Sequence, residues 1–145
     1  MLGLKALQRP LWTGSTLRPA ICAARRRAYS DKGGRVFEST QSTFEKDVLD
    51  AGVPTVVDFY ASWCAPCKML GPIIDRAVQQ DGRVNLAKVN VDENLDLAAD
   101  YKISSLPTVV GFRGGQPVAA FVGMRPPPAV AEFVQSLATG EPEKQ

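Results

Sequence analysis

The sequence of 145 residues contains no histidine. This absence excludes Ser-His or Cys-His nucleophile activation, histidine-containing zinc sites and haem attachment at a Cys-x-x-Cys-His motif within this chain. Long hydrophobic runs are also missing. The longest near the N-terminus, 20–24, is followed by three arginines and is far shorter than the roughly 18 residues of a membrane-spanning helix. We therefore expect no transmembrane segment, and this length fits a single domain.

Acidic residues are missing from the first 30 positions, where six of the 17 basic residues lie. The rest of the chain holds 11 basic and 15 acidic residues, so the overall positive charge does not indicate nucleic-acid binding. Leu4, Leu7 and Leu11 recur at helical spacing in this arginine-rich segment, which is typical of an import presequence. We expect 1–29 to be a cleaved mitochondrial transit peptide and 30–145 the mature domain. A chloroplast address and a plain basic tail are the alternatives.

Cysteine is scarce. Cys22 lies in the expected presequence, which leaves only Cys64 and Cys67 in the mature chain. Two cysteines this close cannot form the disulfide framework of a secreted scaffold. A four-ligand zinc site would need two further cysteines or histidines, so we expect no metal. A pair of ordinary core cysteines is the remaining alternative to a functional pair.

The mature chain alternates strand-like and helix-like segments. The β-branched and aromatic run 53–60 predicts a central buried strand, and from Pro66 the apolar period changes to that of a helix. Ser42 and Glu45 have capping-box spacing, and Gly114–Gly115 favours a two-residue hairpin turn. Further strands are predicted at 35–38, 84–91, 108–112 and 118–122. Further helices are predicted from Asn94, whose side chain is expected to cap its helix, and from Pro127 or Pro128. This order predicts an α/β domain with a mixed central β-sheet flanked by helices on both faces.

The Cys64-Ala65-Pro66-Cys67 segment lies between the predicted buried strand and a helix. Helix positions i and i+3 share a face at about 5 to 6 Å, which suits a disulfide that opens and closes with little backbone motion. Free N–H groups and the helix dipole at the first turn favour a thiolate at Cys64, so it is the expected nucleophile. Cys67 is then the resolving thiol. Pro66 lacks an N–H that the first turn leaves unused.

Asp58 is an acid inside an apolar run, where burial would raise its pKa. If it points toward the cysteines, it can exchange a proton with Cys67 as a general acid and base. An exposed edge carboxylate is the alternative, because the residue pattern does not show which face Asp58 occupies. Lys88 either neighbours Asp58 or is an ordinary solvated lysine. Trp63, beside the nucleophile, either fills the core or lies exposed with a functional role, and we favour exposure.

Residues 57–68, VDFYASWCAPCK, closely resemble the active-site signature of the thioredoxin family. Together with the presequence, the resemblance points to mitochondrial members of that family. One departure is Ala65, where the family usually has glycine, and such a change can shift the redox potential of the pair. The resemblance spans about 35–138 and continues through Pro72, Lys88–Asp92, Leu106–Thr108, Gly114–Gly115 and Val122–Gly123.

The resemblance implies a thioredoxin fold and a protein-disulfide reductase that works by dithiol-disulfide exchange. Cys64 would attack the client disulfide, Cys67 would resolve the mixed disulfide, and Asp58 with Lys88 would assist proton transfer. Pro107 would be a cis proline facing the cysteines, where a client backbone pairs in strand fashion. The surface that binds clients and the reductase would comprise Trp63, Ala65, Pro66, Leu106, Pro107, Gly123 and Met124.

The resemblance also implies partners and a location. No cofactor would be bound, since electrons would come from NADPH through a flavin-containing thioredoxin reductase. Clients would be peroxiredoxin and other disulfide-bearing proteins in the mitochondrial matrix, and we expect a monomer that binds neither nucleic acid nor membrane. An oxidase or isomerase of the same fold, which typically has a histidine between its cysteines, and a redox-inert binding module are the alternatives.

Overall fold

A computed structural model describes residues 33–141 of the chain. The predictions for the presequence, including the processing site and Cys22, lie outside these residues. A mixed five-stranded sheet organises the described part. Its strands are β1 (Val36–Glu38), β2 (Thr55–Tyr60), β3 (Asn85–Asn90), β4 (Thr108–Arg113) and β5 (Gln116–Val122).

The strand order across the sheet is β1-β3-β2-β4-β5, which confirms β2 as the central strand. Strand β3 runs parallel to β1 and β2, whereas β4 is antiparallel to β2 and β5. The hairpin between β4 and β5 turns through Gly114 and Gly115, with φ angles of 60° and 79° that favour glycine. Pro117 lies in β5, an edge strand, where a missing N–H is tolerated.

Helices cover the sheet on both sides. Helices α1 and α3 pack on one face, with Leu70, Ile74 and Phe133 in a common apolar cluster. The opposite face is covered by a second cluster that includes Phe44 and Leu97. The helices are a short π-helix (Glu45–Leu49), α1 (Ala65–Asp81), α2 (Leu95–Asp100) and α3 (Pro127–Thr139).

The triple proline before α3 has a simple explanation in the helix start. Pro126 is the extended residue that precedes the helix, and Pro127 and Pro128 occupy its first positions. The N–H groups at the start of a helix have no partner within it, so proline loses no hydrogen bond there. Helix α1 likewise carries Pro66 at its start, and it continues through Pro72 to Asp81.

Two predicted helix caps are wrong. The segment after Ser42 forms a π-helix without a side-chain cap, because the Ser42 hydroxyl instead hydrogen-bonds the Thr40 hydroxyl, 2.9 Å away. Asn94 precedes α2 but does not cap it with its side chain. Its amide accepts from the Gln41 N–H at 2.8 Å and donates to the carbonyl of Asn90 at 2.9 Å, so it ties two loops together.

Candidate active site

The two cysteines lie where β2 leads into α1. Cys64 is the residue that precedes the helix and Cys67 is in its first turn, with the Cα atoms 5.3 Å apart and the side chains joined as a disulfide. Both residues are only 4% exposed. The Cys67 N–H points at the Cys64 sulfur at 3.3 Å. This amide and the helix dipole provide the positive potential that stabilises a thiolate on Cys64 once the disulfide is reduced.

Neighbouring residues hold the pair in place while leaving one side open. The Cys64 N–H donates to the carbonyl of Ala61 at 3.1 Å, which closes a tight turn at the end of β2. The cysteines pack with Ala61 in a small buried cluster that Tyr60, Val91 and Leu106 partly cover. Ala65 and Pro66 are exposed. The exposed surface beside the cysteines therefore includes the Ala65-Pro66 segment.

Asp58 lies on the same face of the sheet as α1. It is 2% exposed, so the alternative of an exposed edge carboxylate is wrong, and its Oδ1 has no hydrogen-bond partner among residues 33–141. Burial raises the pKa of Asp58 to about 7, a shift that Asp75 and Glu38 reinforce and Lys88 opposes. A carboxyl with this pKa can give or accept a proton near neutral pH.

A cleft of about 210 Å³ connects Asp58 with Cys67. Its lining includes Asp58, Cys67, Gly71 and Lys88. The volume has room for water that could bridge polar groups, which is how a proton passes between side chains not in direct contact. The cleft therefore places an acid with a pKa near neutrality beside the thiol predicted to resolve the mixed disulfide.

Lys88 is the direct neighbour of Asp58 in the β2–β3 register. Its ammonium nevertheless pairs with Asp75 of α1, with Nζ 2.8 Å from Oδ1 and a hydrogen bond of 3.0 Å donated to Oδ2. Asp75 and Glu38 are charged neighbours of Asp58 that the sequence reasoning missed. The only available signal for Asp75 was its spacing of eight residues from Cys67, which places the two on one face of α1.

The residues expected to bind clients differ in exposure. Trp63 is 70% exposed, as favoured from the sequence, and its indole N–H donates to the Asp92 carboxylate at 3.0 Å. Met124 is 45% exposed. The Leu106–Pro107 peptide is cis, as the resemblance implied. Pro107 is buried, and its carbonyl accepts from the Gly123 N–H at 2.9 Å, which joins these two positions.

Residues 33–141 contain neither a metal site nor a membrane-spanning helix. No cluster of three or more Asp, Glu, Cys or His side chains there has the arrangement of a metal site. No helix in that part is long and apolar enough to cross a membrane.

The fold and the cysteine pair at the start of α1 define a protein-disulfide oxidoreductase with a redox-active dithiol. The sequence model of the family described as Thioredoxin matches residues 35–136, almost the whole of the described part. The chain belongs to the thioredoxin family.

Individual relatives agree with this assignment. The chain is 44% identical over 97 residues to "Thioredoxin 1" of Nostoc sp., a match that covers 66% of this chain and 91% of that protein. It is 41% identical over 95 residues to "Thioredoxin, mitochondrial" of Bos taurus, covering 65% of this chain and 57% of that one. A mutant thioredoxin from Halobacterium salinarum superposes with a TM-score of 0.68 at 32% identity, covering 74% of this chain and 94% of that chain.

Proposed function

We propose that the protein is a mitochondrial thioredoxin that reduces protein disulfides through Cys64 and Cys67. The observation that carries the reductase chemistry is the position of the Cys64 sulfur at the start of α1, where the Cys67 N–H points at it from 3.3 Å. A sulfur in this place favours the thiolate and is the better nucleophile of the pair. The likeness to mitochondrial thioredoxins at 41% identity and the acid-free N-terminal segment support the location in the matrix.

The first step begins from the dithiol form. The Cys64 thiolate attacks one sulfur of the client disulfide, which forms a Cys64–client disulfide and releases the other client sulfur as a thiolate. That leaving thiolate takes a proton from solvent. The client is now held covalently, and the Cys67 thiol lies behind the new bond, one helical turn from Cys64.

The second step releases the client. Asp58 accepts the proton of the Cys67 thiol across the cleft, and the resulting thiolate attacks the Cys64 sulfur. The Cys64–Cys67 disulfide forms, the bond from Cys64 to the client breaks, and the second client sulfur leaves with its electron pair. The second client thiolate takes a proton from solvent and Asp58 returns its own proton to solvent, so two electrons have passed to the client, which leaves as a dithiol. In this scheme Lys88 assists by setting the electrostatic potential at Asp58.

Client binding uses the surface around the cysteines. An extended client segment pairs its backbone beside Pro107, in the manner of strand addition. Exposed apolar side chains such as those of Trp63 and Met124 desolvate the client disulfide and strengthen the contact. The full client surface comprises Trp63, Ala65, Pro66, Leu106, Pro107, Gly123 and Met124.

The reduced state is regenerated by a partner enzyme. In the proposal no cofactor is bound to this chain, and electrons arrive from NADPH through a flavin-containing thioredoxin reductase. A relative of Mycobacterium leprae is named "Bifunctional thioredoxin reductase/thioredoxin", and this chain is 41% identical to it over 93 residues that cover 20% of that protein. The proposed clients are peroxiredoxin and other proteins with accessible disulfides, and the proposed working form is a monomer.

The test is NADPH consumption by the chain with mitochondrial thioredoxin reductase and insulin as the disulfide substrate. Wild-type protein should give steady turnover, and Cys64→Ser should abolish it because no sulfur remains to attack the client. Cys67→Ser should instead accumulate a Cys64–client disulfide that mass spectrometry detects. Absence of turnover by folded wild type would contradict the reductase and favour an oxidising partner system or a redox-inert binding role.

A separate measurement tests the location. Residues 1–29 fused to a reporter protein should direct it into the mitochondrial matrix and be removed near Ser30. Replacing the three arginines of 25–27 by glutamine in that fusion should reduce import, since the positive charge is what such presequences require. A reporter that stays in the cytosol or enters plastids would contradict the proposed location without touching the disulfide chemistry.

A further inference from the structure

Three charged residues form a row across the sheet beneath α1. Glu38 of β1 is the register partner of Lys88 in β3, and Lys88 is the register partner of Asp58 in β2. Register partners in neighbouring strands project their side chains to the same face. Lys88 therefore lies between two carboxylates, and the sheet alone would allow its ammonium to pair with either.

The ammonium pairs with neither, because α1 supplies a third carboxylate. Asp75 contacts the Lys88 Nζ through both oxygens, at 2.8 and 3.0 Å. No ion pair or hydrogen bond joins Lys88 to Asp58, and in the part of the chain that the structure describes Oδ1 of Asp58 has no hydrogen-bond partner. The ammonium of the residue that pairs with Asp58 in the sheet is thus held by a different carboxylate.

We propose that Asp75 is a positioning residue for proton transfer, which holds the Lys88 ammonium on the α1 side of the cleft and so keeps Asp58 without a cationic partner. The proposal rests on the proposed role of Asp58 as the proton acceptor of Cys67. Asp75 touches neither cysteine nor client in this account. It acts on the reaction through Lys88.

Helix α1 places Asp75 where it can do this. Cys67, Gly71 and Asp75 recur every four residues, so they lie one above another on one face of the helix. Gly71 has no side chain between them, and a Cβ added there would meet no atom within 4 Å. The missing side chain at Gly71 keeps the cleft open from Asp58 to Cys67. One turn further along the helix, Asp75 forms its ion pair with Lys88.

The consequence for the acid is electrostatic. A cation in direct contact with Asp58 would favour the anion and make it a weak base, whereas a cation neutralised by another carboxylate does so much less. The charged and titratable groups around Asp58 come from every neighbouring element except β4. The residue of β4 that pairs with Asp58 in register is the apolar Val109. They are Glu38 from β1, Tyr60 from β2, Cys67, Lys68 and Asp75 from α1, and Lys88 from β3.

The experiment is a titration of the Asp58 carboxyl carbon by NMR in the oxidised full-length chain, where the paired cysteines do not titrate. Asp75→Asn removes a negative charge and frees Lys88 to approach Asp58, so the midpoint should fall by about 0.5 to 1 pH unit. Asp75→Glu should restore it. The pH at which resolution of the mixed disulfide is half-maximal should move with the NMR midpoint.

Two controls separate positioning from a general loss of charge. Asp81→Asn removes a carboxylate from the same helix and breaks its ion pair with Arg83, and should leave the Asp58 midpoint unchanged. Lys88→Met should raise the midpoint. In the Lys88→Met background, Asp75→Asn should shift the midpoint by less than half of its effect alone, because the residue it positions is gone.

The outcomes are distinct. An unchanged midpoint in Asp75→Asn, or an equal shift with and without Lys88, would overturn the proposal. A shifted midpoint that Asp75→Glu reverses and that depends on Lys88 supports it. If Asp58→Asn leaves resolution of the mixed disulfide unaffected, the proposed role of Asp58 as proton acceptor fails. The expected shift in the pH dependence of resolution then fails with it. The NMR titration of the Asp75 variants still reports whether Asp75 acts on Asp58 through Lys88.

Discussion

The two faces of the central sheet differ in the side chains that adjacent positions of β2 and β3 place on them. On the face covered by α1 and α3, which we call the α1 face, β2 and β3 present Asp58 and Lys88. On the opposite face, which we call the aromatic face, the flanking positions are apolar, with Phe59 and Val89 fully buried. Successive residues of a strand point to opposite faces, so a single residue step separates a charged environment from an apolar one.

The aromatic face is closed by interlocking rings. The Phe112 ring lies edge-on to those of Phe44 and Tyr101, with centroids 5.6 and 5.3 Å away. Edge-to-face packing of this kind adds to the free energy gained by burial. This face therefore serves stability throughout, whereas the α1 face has an apolar cluster of its own but gives up stability at one place, where the unpaired Asp58 is buried. The comparison predicts opposite changes in the free energy of unfolding. Truncating a ring on the aromatic face should lower it, and neutralising Asp58 on the α1 face should raise it.

The largest effect is expected on the aromatic face. Phe112→Ala should lower the free energy of unfolding by about 3 to 5 kcal/mol, since it removes a fully buried ring and leaves a cavity. Urea denaturation at pH 5 and pH 8 measures the loss, which should be the same at both values because no titratable group is removed. A loss below about 1 kcal/mol would mean that the rings are not the main support of this face.

Asp58→Asn should raise the free energy of unfolding, whereas Phe112→Ala lowers it. Burial raises the pKa of Asp58 from 3.8 to about 7, so the folded state binds this proton more tightly than the unfolded state. The stability of the wild type should therefore fall as pH rises from about 4 to 7, by up to about 4 kcal/mol in total. The variant should match the wild type near pH 4 and exceed it by that amount at pH 8.5.

Urea denaturation of the oxidised proteins across this pH range measures the difference. Asp100→Asn, which removes an exposed carboxylate, is the matched control and should keep the slope of the wild type. Parallel curves for Asp58→Asn and the wild type would show that Asp58 titrates normally and would remove the contrast between the faces. Resolution of the mixed disulfide should slow by about 100-fold in Asp58→Asn, because the proton acceptor is lost.

Local patterns were sufficient for much of this architecture. The β-branched run ending at Tyr60 could be recognised as a central strand because a strand covered on both faces needs apolar residues throughout. The turn at Gly114–Gly115 and the start of α3 followed from backbone preferences of glycine and proline. Each of these signals lies within a few neighbouring residues, so no knowledge of tertiary contacts was required.

The features that were missed depend on contacts distant in sequence. Asn94 has the chemistry of a helix cap, but Gln41, 53 residues away, competes for its side chain. The face of Asp58 follows from its register with Lys88, which no local pattern encodes. Asp75 reaches Lys88 only because α1 packs across β3. The electrostatics of the candidate site are therefore a tertiary property, although the cysteine spacing is a local one.

Trp63→Ala extends the comparison to an aromatic residue that is exposed. The side chain is 70% exposed, so its removal should change the free energy of unfolding by less than about 1 kcal/mol, mostly from the lost hydrogen bond to Asp92. The KM for a protein disulfide should rise by about tenfold, since an exposed aromatic at a binding surface often contributes about 1.4 kcal/mol. Insulin reduction at varied substrate concentration measures this.

Asp92→Ala is the matched control, because it removes the acceptor but keeps the indole. It should raise the KM less than Trp63→Ala does, since the ring can still contact the client. If Trp63→Ala destabilises the fold as strongly as Phe112→Ala, the ring is part of the core and the assignment to the client surface is wrong.

The smallest effects are expected for two tyrosines, Tyr60 on the α1 face and Tyr101 on the aromatic face. The Tyr60 hydroxyl donates to both carboxylate oxygens of Glu38, at 3.2 and 3.1 Å, and burial and this hydrogen bond raise the pKa of Tyr60 to about 12. Tyr101 packs its ring on the aromatic face, and its hydroxyl makes no hydrogen bond within residues 33–141. Tyr60→Phe should cost about 1 kcal/mol of unfolding free energy, and Tyr101→Phe less than half of that.

Ultraviolet titration separates the two tyrosines, because Tyr60→Phe should remove the absorbance step near pH 12 and Tyr101→Phe should leave it in place. The Tyr60 hydroxyl is only partly buried, so water competes for it. The difference in unfolding free energy between the two variants should therefore lie at the low end of the range for hydrogen bonds to charged groups. Equal losses in the two variants would mean that ring packing, rather than the bond to Glu38, determines what each tyrosine contributes. The contrast between the two faces would then be confined to the charged group of Asp58, Lys88 and Asp75 on the α1 face.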